Sequence, residues 1–358
     1  MKKYRAGIIG ATGMVGQRFA VLLEDHPYFE VTAIAASPRS AGKKYTEALG
    51  GRWKLSTPMP EYIKDMTVMD AGDIEAIRPL VDMVFCAIDL PKAEVRELEE
   101  RYAKAEIIVV SNNSACRLLP DVPMLIPEIN PDHTAVIETQ RKRLGTKRGF
   151  IAVKPNCSIQ SYVPLITPLL GYEPYEMVVT TYQAISGAGK TFAQWPEIVD
   201  NVIPYIGGEE EKSEKEPLKI WGKVEGGVIV NAALPVITTQ CIRVPVSDGH
   251  MAAAFVKFRN KPTKEQILKA WDAYEGEPQR LKLPSAPEKF ITYFEEPDRP
   301  QTKLDRDLYN GMGISAGRLR EDSVYDWKFI GVSHNTLRGA AGGGVLSAEF
   351  LAAKGLLD

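Results

Sequence analysis

Short apolar runs alternate with amphipathic stretches through the first 150 residues. The runs at 5–10 (RAGIIG), 30–37 (EVTAIAAS), 81–89 (VDMVFCAID) and 106–112 (EIIVVSN) read as strands. Between them, 16–23 reads as a helix with Phe19, Leu22 and Leu23 on its apolar face, and 92–102 as an exposed, charged helix. Strands that are apolar throughout and separated by helices predict a parallel sheet covered on both faces. From about Phe150 the pattern changes: FIAVKPNCS leads into an apolar stretch at 159–170. MVVTTYQAIS, GGVIVNAALPVITTQCIRVPV and MAAAFVKF then read as strands, with no helix of convincing length between them. This half predicts an α+β domain with a largely antiparallel sheet. The charge run at 209–216 reads as a solvated loop, 284–300 as a proline-rich connection, and 263–274 as a helix capped by Thr263 with Gln266 three residues on. A glycine-rich turn at 338–344 enters a last helix that Gly355 ends.

The chain has 358 residues, enough for two domains, and its 44% hydrophobic and 25% charged composition excludes wholesale disorder. A formal net charge of −2 gives no footprint for a nucleic-acid partner, while leaving small acidic ligands open. The long uncharged stretches at 155–172 and 226–242 are broken by Pro, Asn, Gln and Gly, so no membrane partner is expected. The basic start, MKKYRAGIIGATGMVG, reads as a first strand and turn, not as a signal peptide. Four cysteines without a CxxC pair or zinc spacing predict no metal site and a reduced, cytoplasmic setting.

Gly10, Gly13 and Gly16 directly follow the first strand and open a helix, where glycines let the backbone turn sharply and approach a pyrophosphate. The end of the second strand lacks the acid that binds a ribose 2′-hydroxyl, and offers Ser37, Arg39, Ser40 and Lys43 instead, which favours NADP over NAD. Among the cysteines, Cys86 and Cys241 sit in apolar strands as core residues, and Cys116 lies in a polar loop with partial exposure. Cys157 follows Pro155–Asn156 at a strand-to-helix junction, where helix amides would lower the thiol pKa and form an oxyanion site. His26 reads as structural and His133 as a capping or solvent-facing group. His250, in a glycine turn between two strands, suits a general base; His334 is left unassigned. Spacing alone does not pair His250 with Cys157. SGAGKT (186–191) has the end of a Walker loop but Ala184 stands where that loop needs glycine.

GIIGATGMVGQ, SNNSACR, LIPEINPDH, PNCS, TTYQAISGAGK, NVIPYIGGEEEK, RVPVSDGH and SHNTLRGAAGGGV occur in this order, and together the sequence resembles the archaeal and fungal branch of the aspartate-semialdehyde dehydrogenases. The resemblance spans nearly the whole chain. It implies a Rossmann domain at 1–154, a catalytic and dimerisation domain at 155–335, and a C-terminal helix at 336–358 returning to the first domain. It implies Cys157 as nucleophile, His250 as acid–base and Gln183 as the group that positions the acyl intermediate. Arg243 would clamp the substrate carboxylate, Glu209 would face its amine, and Arg117, Lys212 and Asn156 would hold phosphate. Gly10, Thr12, Gly13, Met14, Val15, Ser37, Arg39, Ser40, Ser186, Gly187 and Asn335 fall at the cofactor site. The implied chemistry is reversible, NADPH-dependent reduction of L-4-aspartyl phosphate through a cysteine thioester, on the route to lysine, threonine and methionine, in a homodimer or homotetramer.

Two other readings compete. A malonyl-CoA reductase of the same superfamily would share many motifs, but the intact PNC, EEEK and SNNSACR segments favour a phosphate substrate. An inactive cofactor-binding sensor would have no reason to keep Cys157, Gln183, Arg243 and His250 together.

Overall fold

The computed structural model describes residues 3–358. Six strands, β1 (Tyr4–Ile9), β2 (Phe29–Ala36), β3 (Val68–Asp70), β4 (Met83–Cys86), β5 (Ile108–Ser111) and β6 (Ile151–Val153), form a parallel sheet in the order β3-β2-β1-β4-β5-β6. β4 and β5 are buried along their whole length, as strands covered on both faces must be. Helix α1 (Met14–Leu22) follows β1, and α2 (Lys92–Lys104) joins β4 to β5. α2 is charged but not simply exposed: Val95, Leu98 and Tyr102 line a buried face, and the Tyr102 hydroxyl donates to the Ala71 carbonyl at 2.9 Å. The strand order reverses between β1 and β4, which opens a crevice at the carboxyl ends of the strands.

The second sheet has the order β10-β7-β11-β14-β13-β12, built from β7 (Pro174–Gln183), β10 (Val236–Arg243), β11 (His250–Phe258), β12 (Ile291–Phe294), β13 (Ile314–Glu321) and β14 (Trp327–Ser333). Its three central pairings are antiparallel, and both edge pairings are parallel, so the sheet is mixed. A small hairpin, β8 (Lys223–Glu225) and β9 (Val228–Val230), precedes β10. β12 lies inside the stretch expected to be only a connection; its ITYF pattern pairs with β13 despite the flanking prolines.

The larger correction concerns the charge run. Residues Glu209–Ile220 form a helix, α3, not a solvated loop. Glu209, Ser213, Glu216 and Ile220 recur at helical spacing and face inward, while Glu211 and Lys215 face out. Pro217 lies inside α3 and cannot donate to the Ser213 carbonyl; the buried Tyr162 hydroxyl donates there instead, at 2.7 Å. Farther along, α4 (Lys264–Asp272) has the expected Thr263–Gln266 capping box.

The last helix, α5 (Ala341–Ala353), is apolar on all sides and buried from Ala341 to Leu351. It lies against α1 and β5, and Glu349 meets His26 at 2.9 Å, which gives that histidine a structural partner. Among the described residues, no helix is long and apolar enough to cross a membrane.

Candidate active site

Cys157 stands where β6 leaves the first sheet and a short turn, Ser158–Ser161, enters the second unit. Its loop is pinned from α3. The Asn156 backbone N–H donates to Glu216 at 2.5 Å, and the Asn156 amide donates to Glu209 at 3.0 and 3.1 Å. Asn156 Oδ1 in turn accepts the Ser158 N–H at 2.8 Å, which closes the turn beneath the sulfur. Opposite it, His250 opens β11, fully buried, with Nε2 3.4 Å from Cys157 Sγ. The Ala184 N–H donates to His250 Nδ1 at 3.0 Å. With Nδ1 accepting, the proton of the neutral ring sits on Nε2 and faces the sulfur.

Electrostatics keep this pair neutral. Burial pushes the Cys157 thiol up to about 11, with Glu209 adding to it and Lys154, Arg117 and Arg243 opposing. Burial, with Arg243 adding, brings His250 down to about 3. The sequence reading expected a lowered thiol pKa from helix amides; a single short turn does not outweigh the desolvation of this half-buried thiol.

Two sides flank the thiol. On one, Arg243 is buried at the end of β10, and its Nη1 donates to the Ala184 carbonyl at 2.6 Å. Gly187 lies over it: a Cβ there would stand 3.0 Å from Arg243 Nη1 and 3.2 Å from His250 Nε2. Gln183 donates to Glu209 at 3.2 Å and accepts from Thr181 at 3.0 Å. On the other side, Arg117 is ion-paired with Glu216 at 2.9 Å and also donates to the Asn112 carbonyl. Lys212 pairs with Glu209 at 2.7 Å. Burial acts to raise the Glu209 carboxyl, but Lys212, Asn156 and Gln183 hold it below its ordinary value. Arg117 Nε and both polar atoms of the Asn112 side chain are buried without a partner among the described residues, leaving donors for a ligand oxygen.

The glycine loop is a cradle. Gly10 has φ +91°, and a Cβ there would stand 2.4 Å from the Ala87 carbonyl oxygen. Gly13, Met14 and Val15 lead into α1, with Thr12 before them. Met14 and Ser186 line a cleft of about 300 Å³ whose other walls carry Arg18, Lys54, Lys190 and Arg306. Ser37 lines an apolar hollow of about 320 Å³ beyond β2, beside Ile88 and Leu90. Arg39, exposed, and Ser40, half-buried, share its turn. Asn335 is occupied within the protein: it donates to Ser186 Oγ at 2.8 Å and accepts from the Gly249 N–H at 2.8 Å, joining the two glycine turns around His250.

Glu216, Asn112, the Ala184 amide and Lys154 were missed in the sequence reading. Glu216 follows Glu209 by seven residues, two turns along one helical face, and that spacing was the available signal. Cys116 is buried, not partly exposed, and reaches toward the buried Glu99 carboxyl. His133 is also buried, bridging Asn130 and the Gly222 carbonyl, and so neither caps a helix nor meets solvent. Cys86 and Cys241 are buried in their strands.

A thiol and an imidazole in contact, with two arginines and a lysine acting on the thiol and a dinucleotide fold beside them, define a thiol-dependent oxidoreductase site. The comparisons with known proteins agree with that class. Residues 5–137 match the family description "Semialdehyde dehydrogenase, NAD binding domain", and 164–338 match "Semialdehyde dehydrogenase, dimerisation domain". The chain is 44% identical to an aspartate-semialdehyde dehydrogenase of Archaeoglobus fulgidus, with 98% of each chain covered. It is 43% identical to that of Aspergillus fumigatus, with 99% of each covered. A crystal structure of the Candida albicans enzyme with NADP superposes with a TM-score of 0.88 at 39% identity, covering 99% of this chain and all of that one. The chain belongs to the aspartate-semialdehyde dehydrogenase family.

Proposed function

We propose that the protein reduces L-4-aspartyl phosphate to L-aspartate 4-semialdehyde and phosphate, reversibly and with NADPH, in the synthesis of lysine, threonine and methionine. The observation that carries this is the Cys157–His250 contact at 3.4 Å, with Arg117 and Arg243 both near enough to act on the charge of the thiol.

Cys157 Sγ attacks the acyl carbon; the S–C bond forms, the C–O bond to phosphate breaks, and the thiol proton leaves on phosphate. Arg117, Lys212, Asn156 and the Asn112 amide hold that phosphate. Arg243 takes the α-carboxylate and Glu209 the amine, while Gln183 keeps the acyl group over the sulfur. His250 Nε2–H, aimed by the Ala184 amide, donates to the acyl oxygen where negative charge gathers. Hydride added to the thioester carbon gives a tetrahedral oxyanion; as it collapses the C–S bond breaks, the aldehyde is released and the Cys157 thiolate takes up a proton. The loop of Gly10, Thr12, Gly13, Met14 and Val15 would hold NADPH as the hydride source, with Ser186 and Gly187 toward the thiol and Ser37, Arg39 and Ser40 toward the 2′-phosphate. Asn335 acts there through Ser186.

The division into units at 1–154, 155–335 and 336–358 follows the same reading, with cytoplasmic chemistry. A homodimer or homotetramer belongs to the same reading. Along β11, Met251, Ala253 and Phe255 alternate half-exposed on one face of the second sheet, and Val199, Val202, Tyr205 and Val236 are exposed.

The test is NADP⁺ reduction with aspartate semialdehyde plus phosphate, run beside NADPH oxidation with malonyl-CoA. Phosphate-dependent turnover of the first and none of the second is expected. Turnover of malonyl-CoA alone would refute the assignment.

A further inference from the structure

Lys154, three residues before the nucleophile, is 2% exposed, and its ammonium makes one hydrogen bond, to the Pro155 carbonyl at 3.2 Å. Among the described residues it forms no ion pair. A buried lysine without a carboxylate is costly and is rarely kept without a use.

Its surroundings fix it in the loop that carries the thiol. Its backbone N–H bonds the Ser111 carbonyl, fixing the stem between β5 and the thiol loop. The side chain then runs under the start of α5, where a Cβ on Gly343 would stand 2.5 Å from Lys154 Cε. The amine thus ends inside the KPNC turn, on a carbonyl two residues from Cys157.

The three cations near Cys157 differ in what neutralises them. Arg117 is already paired with Glu216. Arg243 is free for a substrate carboxylate in the proposed reaction. Lys154 has no ion-pair partner among the described residues; of the opposite charges acting on it the sulfur is the stronger and Glu216 the weaker, while Arg117 and Arg338 oppose its charge. We propose that Lys154 is a positioning residue for the nucleophile, whose ammonium stabilises the Cys157 thiolate as it forms and as it leaves the acyl group. This rests on the reading of Cys157 as the nucleophile. In keeping with it, Lys154 has the largest lowering effect on the thiol of the three, although burial brings Lys154 itself down to about 7, with the Cys157 charge acting in the opposite direction. The two charges therefore appear together: the thiolate draws a proton onto the lysine, and the ammonium retains the thiolate.

The test is the pH dependence of Cys157 alkylation by iodoacetamide, followed on the Cys157 peptide, in the unmutated protein and in Lys154→Gln. Glutamine keeps a donor for the Pro155 carbonyl and removes the charge. The expected result is an alkylation profile displaced to higher pH, about tenfold slower near neutrality and equal at the alkaline limit. A superimposable profile would overturn the proposal. If Lys154→Gln does not fold, isotope-edited NMR of the lysine ε-carbons in the unmutated protein serves instead. Capping Cys157 with iodoacetamide should move the Lys154 titration to lower pH, and an unmoved titration overturns the proposal. Neither readout needs turnover, so failure of the reaction assigned above, seen as full activity in Cys157→Ser, is distinguishable from failure here.

Discussion

The two sides of the thiol differ in how completely they are satisfied before any substrate arrives. Arg117 is already bound to the Glu216 carboxylate and the Asn112 carbonyl, whereas among the described residues the Arg243 side chain bonds only the Ala184 carbonyl. The Arg117 side is therefore structural, since its ion pair fastens α3 to the loop after β5 through the same Glu216 that holds Asn156. The Arg243 side chain has no carboxylate partner among the described residues. A buried arginine with a carboxylate is built into the fold, and one without is held in reserve.

The comparison breaks most visibly on stability. Glu216→Ala leaves Arg117 buried and unpaired, and should cost about 3–5 kcal/mol, read as a large fall in Tm and denaturant midpoint. Arg243→Leu should leave Tm nearly unchanged and cost on the order of 100-fold in kcat/KM for aspartate semialdehyde, mostly in KM. If the two variants exchanged phenotypes, the distinction between the sides would be wrong.

A pH experiment sharpens the picture of the neutral centre between them. Folded His250 stays unprotonated down to about 3, while in the unfolded chain it takes a proton below about 6.5. The unfolded state thus binds more protons over that interval, and stability falls as pH drops from about 6.5 toward 3. Replacing His250 with Asn should flatten that part of a Tm-versus-pH curve; an unchanged slope would place the titration elsewhere. The smallest expected effect is at the cofactor's far end. Asp70, Asp89, Glu94 and Glu97 line the Ser37 hollow together with Arg101, and Arg39 stands exposed two residues after Ser37, where it adds to the attraction for a 2′-phosphate. Arg39→Glu should lower the NADP-over-NAD preference about tenfold, measured as a ratio of kcat/KM values.

These contrasts explain what could be read from the residues alone. The parallel sheet was legible because its strands are uniformly apolar and its first turn carries glycines where a side chain would strike Ala87. α3 was not, because its composition is that of a solvated loop and Pro217 looks like a terminator. Only the helical spacing of Glu209, Ser213 and Glu216 distinguishes a buried polar face from a surface one. The thiol's protonation was misread for a related reason: local sequence shows the amides after Cys157, but not how many other segments cover it. The resemblance supplied residue roles, whereas the carboxylate partners of Arg117 and Lys212, and the Ala184 amide that fixes the imidazole, needed the fold.

The central claim is that an acyl group passes through Cys157. Incubating the protein with aspartate semialdehyde and NADP⁺ without phosphate, then measuring peptide masses after acid quench, tests it directly. The expected result is an aspartyl adduct on the Cys157 peptide that disappears when phosphate is added. An adduct on another residue, or turnover with phosphate in Cys157→Ser, would contradict it.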